Sequence, residues 1–299
     1  MGKGKNFMKI FLIGKTGQLG SDIIRNNPGH EIYAPDRTVL DIRSYDAIRS
    51  AIDRYQPDAV INTAAFHNVP LCETEPENAF NVNCVAVRDI SAACERIGAL
   101  FVTFSSDYVF GGRKRTPYLE GDKPDPLQIY GITRLAGEHA ALSSAPGHAI
   151  VIRTCGLYGL SGAQSKGGNF SDKRIEDAKN HTSIEMGNDQ IVSPTSTHDL
   201  SKAVLRLIEH PATEPGIYHL VNEGECSWYE FTKAIYEIMG LAVKVIPVDR
   251  GGRSGDMRRP RYSALANTKA RALGIVLPTW RDALEIYLKE KYGNESSLR

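Results

Sequence analysis

A hydroxyl, a phenol and a fixed positive charge occur in an order that suits the reduction of a carbonyl group. Ser106 follows a run of β-forming residues at 99–104, and Tyr130 and Arg134 stand one helical turn apart at the start of a predicted helix. Such groups can hold and protonate a carbonyl oxygen while hydride arrives at its carbon. We therefore predict that Ser106, Tyr130 and Arg134 form the catalytic set.

A glycine-rich turn near the start of the chain predicts a dinucleotide-binding site. The β-forming run Lys9–Ile13 ends at Gly14, and apolar residues at helical spacing follow. In this strand–turn–helix context, Gly14 permits the tight turn, Gly17 lets the backbone approach a pyrophosphate, and Gly20 lets the helix pack closely. Free N–H groups at the helix N-terminus would hold the phosphates. The predicted cofactor contacts in this stretch are Gly14, Thr16, Gly17, Gln18, Leu19 and Gly20.

The second predicted strand ends at Asp36 and Arg37, which leaves the choice between NAD and NADP open. An acidic residue here commonly binds the adenosine ribose, whereas an arginine can hold a 2′-phosphate. A surface ion pair is an equally good interpretation of either residue alone. The following strand connections contribute four more predicted cofactor contacts, namely Asp41, Ile42, Ala64 and Ala65.

Strand and helix patterns alternate along the chain and predict an α/β fold. They include strands at 59–62, 149–153 and 217–220, and one long helix at 80–97. Such alternation indicates a Rossmann-like, doubly wound parallel sheet whose ligands bind at the carboxyl ends of the strands. We predict a dinucleotide-binding domain of residues 8–155 plus 188–221, a smaller C-terminal substrate-binding domain of 156–187 plus 222–292, and flexible tails at 1–7 and 293–299.

The composition argues against several other classes of function. The chain has 299 residues, a net charge of +1 and no long run of one charge sign, so neither nucleic acid nor a membrane surface is predicted as its partner. Its apolar runs are too short to span a bilayer. The five cysteines form no CxxC pair and no zinc-site spacing, which predicts reduced thiols in a cytoplasmic protein and no metal ligands.

The order of these motifs resembles that of the dTDP-4-dehydrorhamnose reductase family, which belongs to the extended short-chain dehydrogenase/reductases. The likeness runs from about Met8 to Tyr292. Besides the glycine turn it includes 62–65, 106–110, 130–138, 168–170, 189–195 and 259–263. The resemblance implies that hydride from NADPH or NADH reduces the C4 ketone of a dTDP-6-deoxy-4-hexulose and so forms dTDP-L-rhamnose.

The resemblance also implies roles for individual residues. Tyr130 would be the general acid, and Ser106 would hydrogen-bond the substrate carbonyl. Arg134 stands where the family has a lysine that stabilises the tyrosinate and binds the nicotinamide ribose. The residues expected along the nucleotide-sugar are Ser106, Asp107, Tyr108, Asn169, Gln190 and Arg259. Some members use Mg²⁺ at a dimer contact, so Mg²⁺ and a homodimer are expected from the resemblance alone.

Two departures from the family pattern keep other functions open. Arg134 preserves the charge of the family's lysine but not its compact shape, which allows a non-catalytic homologue that binds a dinucleotide or acts as a regulator. Gly156 stands where some relatives place a tryptophan that could stack on substrate. This second departure allows a reductase or epimerase of another nucleoside-diphosphate sugar.

Overall fold

The computed structural model describes residues 7–161, 168–255 and 257–293, so most of the two predicted tails (1–6 and 294–299) lies outside the described residues. The strands are β1 Lys9–Ile13, β2 Glu31–Tyr33, β3 Ala59–Asn62, β4 Leu100–Ser106, β5 Ala149–Thr154, β6 Leu157–Tyr158, β7 Ser183–Gly187, β8 Ile191–Val192, β9 Thr195–Ser196, β10 Gly216–His219, β11 Cys226–Ser227, β12 Lys244–Val248, β13 Arg253–Ser254 and β14 Met257–Arg258. The helices are α1 Gln18–Arg25, α2 Tyr45–Tyr55, α3 Val69–Thr74, α4 Pro76–Phe80, α5 Ala86–Ile97, α6 Ile129–Ser144, α7 Phe170–Asn180, α8 Thr197–Glu209, α9 Trp228–Met239, α10 Thr268–Ala272 and α11 Trp280–Tyr292.

Six strands form one sheet in the order β10-β5-β4-β3-β1-β2, and all neighbouring pairs are parallel. The predicted doubly wound parallel sheet is therefore confirmed. The chain leaves β1 toward β2 on one side and returns to β3 on the other, which creates a switch point between β1 and β3. Ligands in this class of fold bind at the carboxyl ends of the strands beside such a point.

The sheet is buried on both faces. On one face α1 and α8 pack with the cluster that includes Ile10 and Leu12; on the other, α2, α5 and α6 pack with the cluster that includes Phe11. All three of these strand side chains are 0% exposed, as expected for a central strand between two helical layers. Each such burial contributes about 1.5–3 kcal/mol to folding.

A third apolar cluster joins α7, α9 and α11 with Tyr158 on β6, and β12 pairs with β7 beside it. Local hydrogen bonds fix where α7 and α9 begin. Asn169 with Asp172 forms a capping box at the start of α7, and Ser227 with Glu230 forms one at the start of α9. The division into two domains stays a prediction. Because α10 packs against β10 of the central sheet, we assign α10 to the dinucleotide-binding domain and not to the substrate-binding domain.

Candidate active site

A cleft of about 250 Å³ lies at the carboxyl ends of β1, β2 and β3. Most of the predicted cofactor residues line it, namely Gly14, Thr16, Gly17, Asp36, Arg37, Asp41, Ile42, Ala64 and Ala65. Gln18, Leu19 and Gly20 lie in the first turn of α1 outside the lining; Leu19 is 5% exposed and packs in the core. The structure thus brings the predicted contacts together around the N-terminus of α1.

The glycine turn has the backbone geometry that its sequence indicates. Gly14 adopts a φ of +90°, and a Cβ there would stand 2.4 Å from the Thr63 hydroxyl oxygen on the neighbouring loop. A Cβ on Gly20 would lie 2.2 Å from the Gly14 carbonyl oxygen. Only glycine tolerates both constraints, and the N-terminus of α1 is thereby held close to β1.

The cleft has features that fit a dinucleotide. The N-terminus of α1 provides N–H groups and a partial positive charge suited to phosphate. Gln18 does not line the cleft, but its side-chain carbonyl oxygen at that terminus is buried without a hydrogen-bond partner among the described residues, and it can accept from a hydroxyl or amide group of a ligand. Lysine and arginine side chains also line the cleft, so a negatively charged ligand matches both the backbone and the side chains there.

Charged residues cluster at the end of the cleft that follows β2. Lys15 forms an ion pair with Asp36 at 3.0 Å. The Arg43 guanidinium donates to both oxygens of Asp41, and these hydrogen bonds lower the pKa of Asp41 to about 2. Together with Arg37, this group contains three cationic side chains and two carboxylates, so its net charge is positive. Lys15 and Arg43 were not singled out from the sequence, although both flank predicted contacts.

Ser106 and Tyr130 meet where β4 ends and α6 begins. Ser106 is the last residue of β4 and Tyr130 the second residue of α6, and the Ser106 hydroxyl lies close enough to the Tyr130 phenol to favour its deprotonated form by lowering its pKa. The approach is close because a Cβ on Gly131 would lie 2.2 Å from the Tyr108 carbonyl oxygen. A glycine directly after the tyrosine therefore lets α6 begin against the turn that carries Ser106.

Arg134 is buried behind Tyr130 and holds three parts of the fold together. Its guanidinium donates to the carbonyl oxygen of Phe104 on β4 and, at 3.3 Å, to the side-chain oxygen of Asn83. The guanidinium carbon lies 5.9 Å from the centre of the Tyr130 ring. The cation is thus positioned by fixed acceptors and faces the phenol.

Asn83 lies in a π-helical turn, Asn81–Val85, that interrupts the predicted long helix at 80–97. Its side chain accepts from the Phe66 amide at 2.9 Å and donates to the Phe66 carbonyl at 3.0 Å. Phe66 lines the dinucleotide cleft, so Asn83 connects that cleft with Arg134. The sequence carried no local signal for the π-turn, because its residue types are compatible with an ordinary helix.

The environment of Tyr130 favours the protonated phenol. Burial raises its pKa above the ordinary value; the positive charge of Arg134 opposes this shift, and the charge of Asp107 adds to it. A phenol that keeps its proton at neutral pH can act as a general acid. The Ser106 hydroxyl favours the phenolate, so it would assist proton loss once a reaction begins.

The predicted substrate residues Asp107, Tyr108 and Arg259 lie next to this pair. Asp107 is 3% exposed and accepts from Ser106 at 2.8 Å and from Ser263 at 2.6 Å. The Tyr108 ring stands edge-on to Tyr130, with centroids 6.0 Å apart. Burial raises the pKa of Tyr108, and the nearby charge of Arg259 opposes that shift.

The other two predicted substrate residues, Asn169 and Gln190, are both buried. The Asn169 amide donates to the Gly159 carbonyl at 3.0 Å and to the Tyr287 hydroxyl at 2.9 Å, while its oxygen caps α7. Gln190 is 7% exposed. The structure gives Asn169 a role in capping and packing, and contact of either residue with a substrate stays a prediction.

Two further polar or aromatic groups near the site were missed by the sequence analysis. Gln128, directly before α6, is 4% exposed, and neither side-chain amide atom has a hydrogen-bond partner among the described residues. Trp228 at the start of α9 lies against Gly156, where a Cβ would stand 3.2 Å from the indole. An indole therefore fills the space beside Gly156 even though that position has no side chain.

Over residues 7–161, 168–255 and 257–293, no group of three or more His, Cys, Asp or Glu side chains is arranged to hold a metal ion. Within the same ranges, no helix combines the length and apolarity needed to cross a bilayer. Mg²⁺ dependence, a homodimer and a cytoplasmic location stay predictions.

The family model described as "RmlD substrate binding domain" matches residues 8–292. The chain is 37% identical to the spore coat polysaccharide biosynthesis protein SpsK of Bacillus subtilis, over 95% of this chain and 98% of that protein. It is 32% identical to a dTDP-4-dehydrorhamnose reductase of Sinorhizobium fredii, over 92% of this chain and 95% of that protein.

A solved structure extends the likeness to three dimensions. The dTDP-4-dehydrorhamnose reductase of Bacillus anthracis, determined in complex with NADP, matches 95% of this chain and 99% of its own, with a TM-score of 0.88 and 31% identity. Motif order, fold and whole-chain similarity agree, and we conclude that the chain belongs to the RmlD family, that of the dTDP-4-dehydrorhamnose reductases.

Proposed function

We propose that the protein reduces the C4 ketone of dTDP-4-dehydro-L-rhamnose to give dTDP-L-rhamnose, with NADPH as coenzyme. The observation that carries this proposal is the meeting of Ser106, Tyr130 and Arg134 at the carboxyl end of β4, linked through Asn83 to the dinucleotide cleft. The names of the relatives support the substrate class, since two are dTDP-4-dehydrorhamnose reductases and one serves polysaccharide biosynthesis.

In this proposal Tyr130, Ser106 and Arg134 each have a separate role in the protonation of the ketone oxygen. Tyr130 donates its proton to that oxygen, and Ser106 holds the oxygen within reach by a hydrogen bond. Arg134 stabilises the phenolate that proton transfer leaves behind, because its charge favours the deprotonated form. A bound reduced nicotinamide supplies the hydride that reaches the ketone carbon.

The charges around the cleft support NADPH over NADH. The adenosine 2′-phosphate of NADPH carries negative charge that NADH lacks. Asp36 and Asp41 already have cationic partners, Lys15 and Arg43, and Arg37 adds a further positive charge at the same end. A 2′-phosphate thus meets a net positive environment, and an arginine here is a known means of accepting it.

The nucleotide-sugar would bind between the cleft and the segment that carries Arg259. The guanidinium Nε of Arg259 is buried and has no hydrogen-bond partner among the described residues, while the charge of the group reaches Tyr108. A diphosphate would provide the acceptor that this nitrogen lacks. Residues 156–187 and 222–292 would then form most of the substrate side.

A non-catalytic homologue that only binds the dinucleotide is the second candidate. The observation in its favour is Arg134 itself, because a guanidinium fixed by Phe104 and Asn83 differs in shape from the lysine expected from the family. An epimerase or a reductase of another nucleoside-diphosphate sugar is the third candidate, since Gly156 departs from the family pattern.

The test is oxidation of NADPH and NADH with enzymatically generated dTDP-4-dehydro-L-rhamnose. We expect turnover by the wild type, loss of turnover in Tyr130→Phe, and unchanged turnover in the control Tyr45→Phe, whose side chain is 42% exposed on α2. Coenzyme and dTDP binding are measured on the same samples. Binding without turnover in the wild type would favour the non-catalytic candidate and reject the reductase proposal for this sugar.

A further inference from the structure

Two segments of the chain carry an excess of positive charge that the rest of the protein does not share. Residues 111–125 contain four basic and three acidic side chains, and residues 249–261 contain five basic and two acidic ones. These two basic segments together have a net charge of +4, whereas the whole chain has a net charge of +1. The remainder of the protein is therefore net negative.

The fold places the two basic segments side by side. A Cβ on Gly112 would stand 2.7 Å from the amide nitrogen of Arg261 and 2.8 Å from the Cα of Pro260. The Arg259 amide donates to the Gly252 carbonyl at 2.7 Å, and β13 pairs with β14, so the second segment folds back on itself. The segments thus form one basic surface, although they are more than a hundred positions apart in the sequence.

Both segments adjoin the candidate active site. The Ser263 hydroxyl donates to Asp107 at 2.6 Å, and Asp107 directly follows Ser106. One segment begins shortly after Asp107 and the other ends shortly before Ser263. Because an extended chain advances at most about 3.6 Å per residue, Arg258 lies within about 20 Å of this hydrogen bond and Arg115 within about 30 Å. The basic surface therefore flanks the site.

Only part of this positive charge is balanced locally. Three cations have a carboxylate partner within their own segment, namely Arg113 with Asp125, Lys114 with Asp122 and Arg261 with Asp249. Four exposed arginines form no ion pair with another described residue: Arg115, Arg250, Arg253 and Arg258. A guanidinium stays charged throughout the physiological pH range. These four side chains therefore supply a permanent positive field beside the site.

We propose that the basic surface draws the anionic nucleotide-sugar from solution into the candidate active site. The inference rests on the proposed function, because the diphosphate of the substrate is the charge that is attracted. Charges of one sign around a site raise the association rate of a ligand of opposite charge. Since both segments meet at the Asp107–Ser263 hydrogen bond, the cations flank a single site, which favours a small ligand over a protein partner.

The expected size of the effect follows from charge, distance and salt. The screening length is about 30 Å in 0.01 M salt and shrinks to about 8 Å at physiological ionic strength. Three unit charges that act on a dianion at about 15 Å in water should raise its association rate about fivefold in 0.01 M salt. In concentrated salt the same charges should have almost no effect on this rate.

The test measures the association and dissociation rates of dTDP that carries a fluorescent group on its 3′-hydroxyl. The variant combines Arg115→Gln, Arg253→Gln and Arg258→Gln, which remove three charges from exposed side chains. In stopped-flow experiments at 0.01 M NaCl, association should be about fivefold slower in the variant than in wild type. At 0.5 M NaCl the two proteins should agree within about twofold. The dissociation rates should stay within about twofold at both salt concentrations.

The matched control combines Arg54→Gln, Lys202→Gln and Lys233→Gln, which remove three exposed cations from α2, α8 and α9. It changes the net charge equally but leaves the basic surface intact, so association should stay within about twofold of wild type at 0.01 M NaCl. An equal effect in the control would show that net charge alone matters and would reject the inference.

Three other results would also overturn the inference. They are an unchanged association rate in the first variant, a change confined to its dissociation rate, and absence of probe binding to the wild type. The proposed function is judged separately, by ketone-dependent oxidation of NADPH. If only the inference fails, wild type still turns over. If only the proposed function fails, the salt-dependent difference in dTDP association remains without turnover.

Discussion

Arg153 on β5 and Glu138 on α6 form a bidentate ion pair in which each side chain is only 2% exposed. The two bonds measure 2.9 and 2.6 Å, and the Ser105 hydroxyl donates to the same carboxylate. Ser105 directly precedes Ser106, and Glu138 follows Arg134 by one helical turn. The pair therefore fixes β4, β5 and α6 relative to one another behind the candidate active site.

Glu138→Gln should destabilise the protein by about 3–5 kcal/mol, because it leaves the buried Arg153 guanidinium without a compensating charge. The free energy of unfolding in urea measures this effect. Glu285→Gln, which breaks an exposed pair with Lys289 on α11, should cost less than about 1 kcal/mol. If the two variants lose the same free energy of unfolding, burial does not make the Arg153–Glu138 pair more important for stability than an exposed pair.

Arg134→Met should raise the pKa of Tyr130 further, because the positive charge that favours the phenolate is removed. The phenolate absorbance assigned to Tyr130 by subtraction of Tyr130→Phe should then begin at a higher pH than in wild type. We expect kcat to fall about 10²-fold or more, as when other charge-stabilising donors are lost. Arg134→Lys retains the charge and should keep most of the spectroscopic effect. An unchanged titration in Arg134→Met would contradict the assigned role.

Arg37→Ala should weaken the binding of NADPH about tenfold and leave the affinity for NADH nearly unchanged, because only NADPH carries the 2′-phosphate. Calorimetric titration with both coenzymes measures this, and the preference for NADPH should shrink at high salt. Arg49→Ala is the control, since Arg49 is also an exposed cation, lies on α2 and pairs with Asp53 outside the cleft. A similar loss of affinity for both coenzymes would point to a general charge effect.

Acid should destabilise the fold through His219, which is 0% exposed on β10. Burial lowers the pKa of His219, the charge of Glu120 opposes this shift, and that of Arg153 adds to it. The unfolded chain therefore binds a proton that the folded state resists. Stability should fall as pH drops below about 6.5, by up to about 1.4 kcal/mol per pH unit, until the lowered pKa is reached.

The measurement for His219 is urea unfolding across that pH range. His219→Asn should flatten the dependence, because its amide can still donate to the Tyr118 or Ala266 carbonyl but does not titrate. A slope that persists unchanged in this variant would assign the acid sensitivity to other groups.

Local patterns in the sequence determined the parallel sheet, the glycine turn and the order of Ser106, Tyr130 and Arg134. Strand and helix periods, and glycines at fixed offsets, are set by neighbouring residues and can be recognised without the fold. The family resemblance added expected roles for residues such as Asn169, whose amide donates to Gly159 and Tyr287 and whose contact with a substrate stays a prediction.

Only the tertiary structure decided how these residues are surrounded. Asp107 is enclosed by Ser263, which lies 156 positions away, and Asn83 reaches Arg134 across 51 positions from a π-turn. The pairing of Glu138 with Arg153 depends equally on how α6 packs against the sheet. Contacts between distant segments leave no periodic trace in the sequence, and burial at such contacts shifts the pKa values on which the proposed chemistry depends.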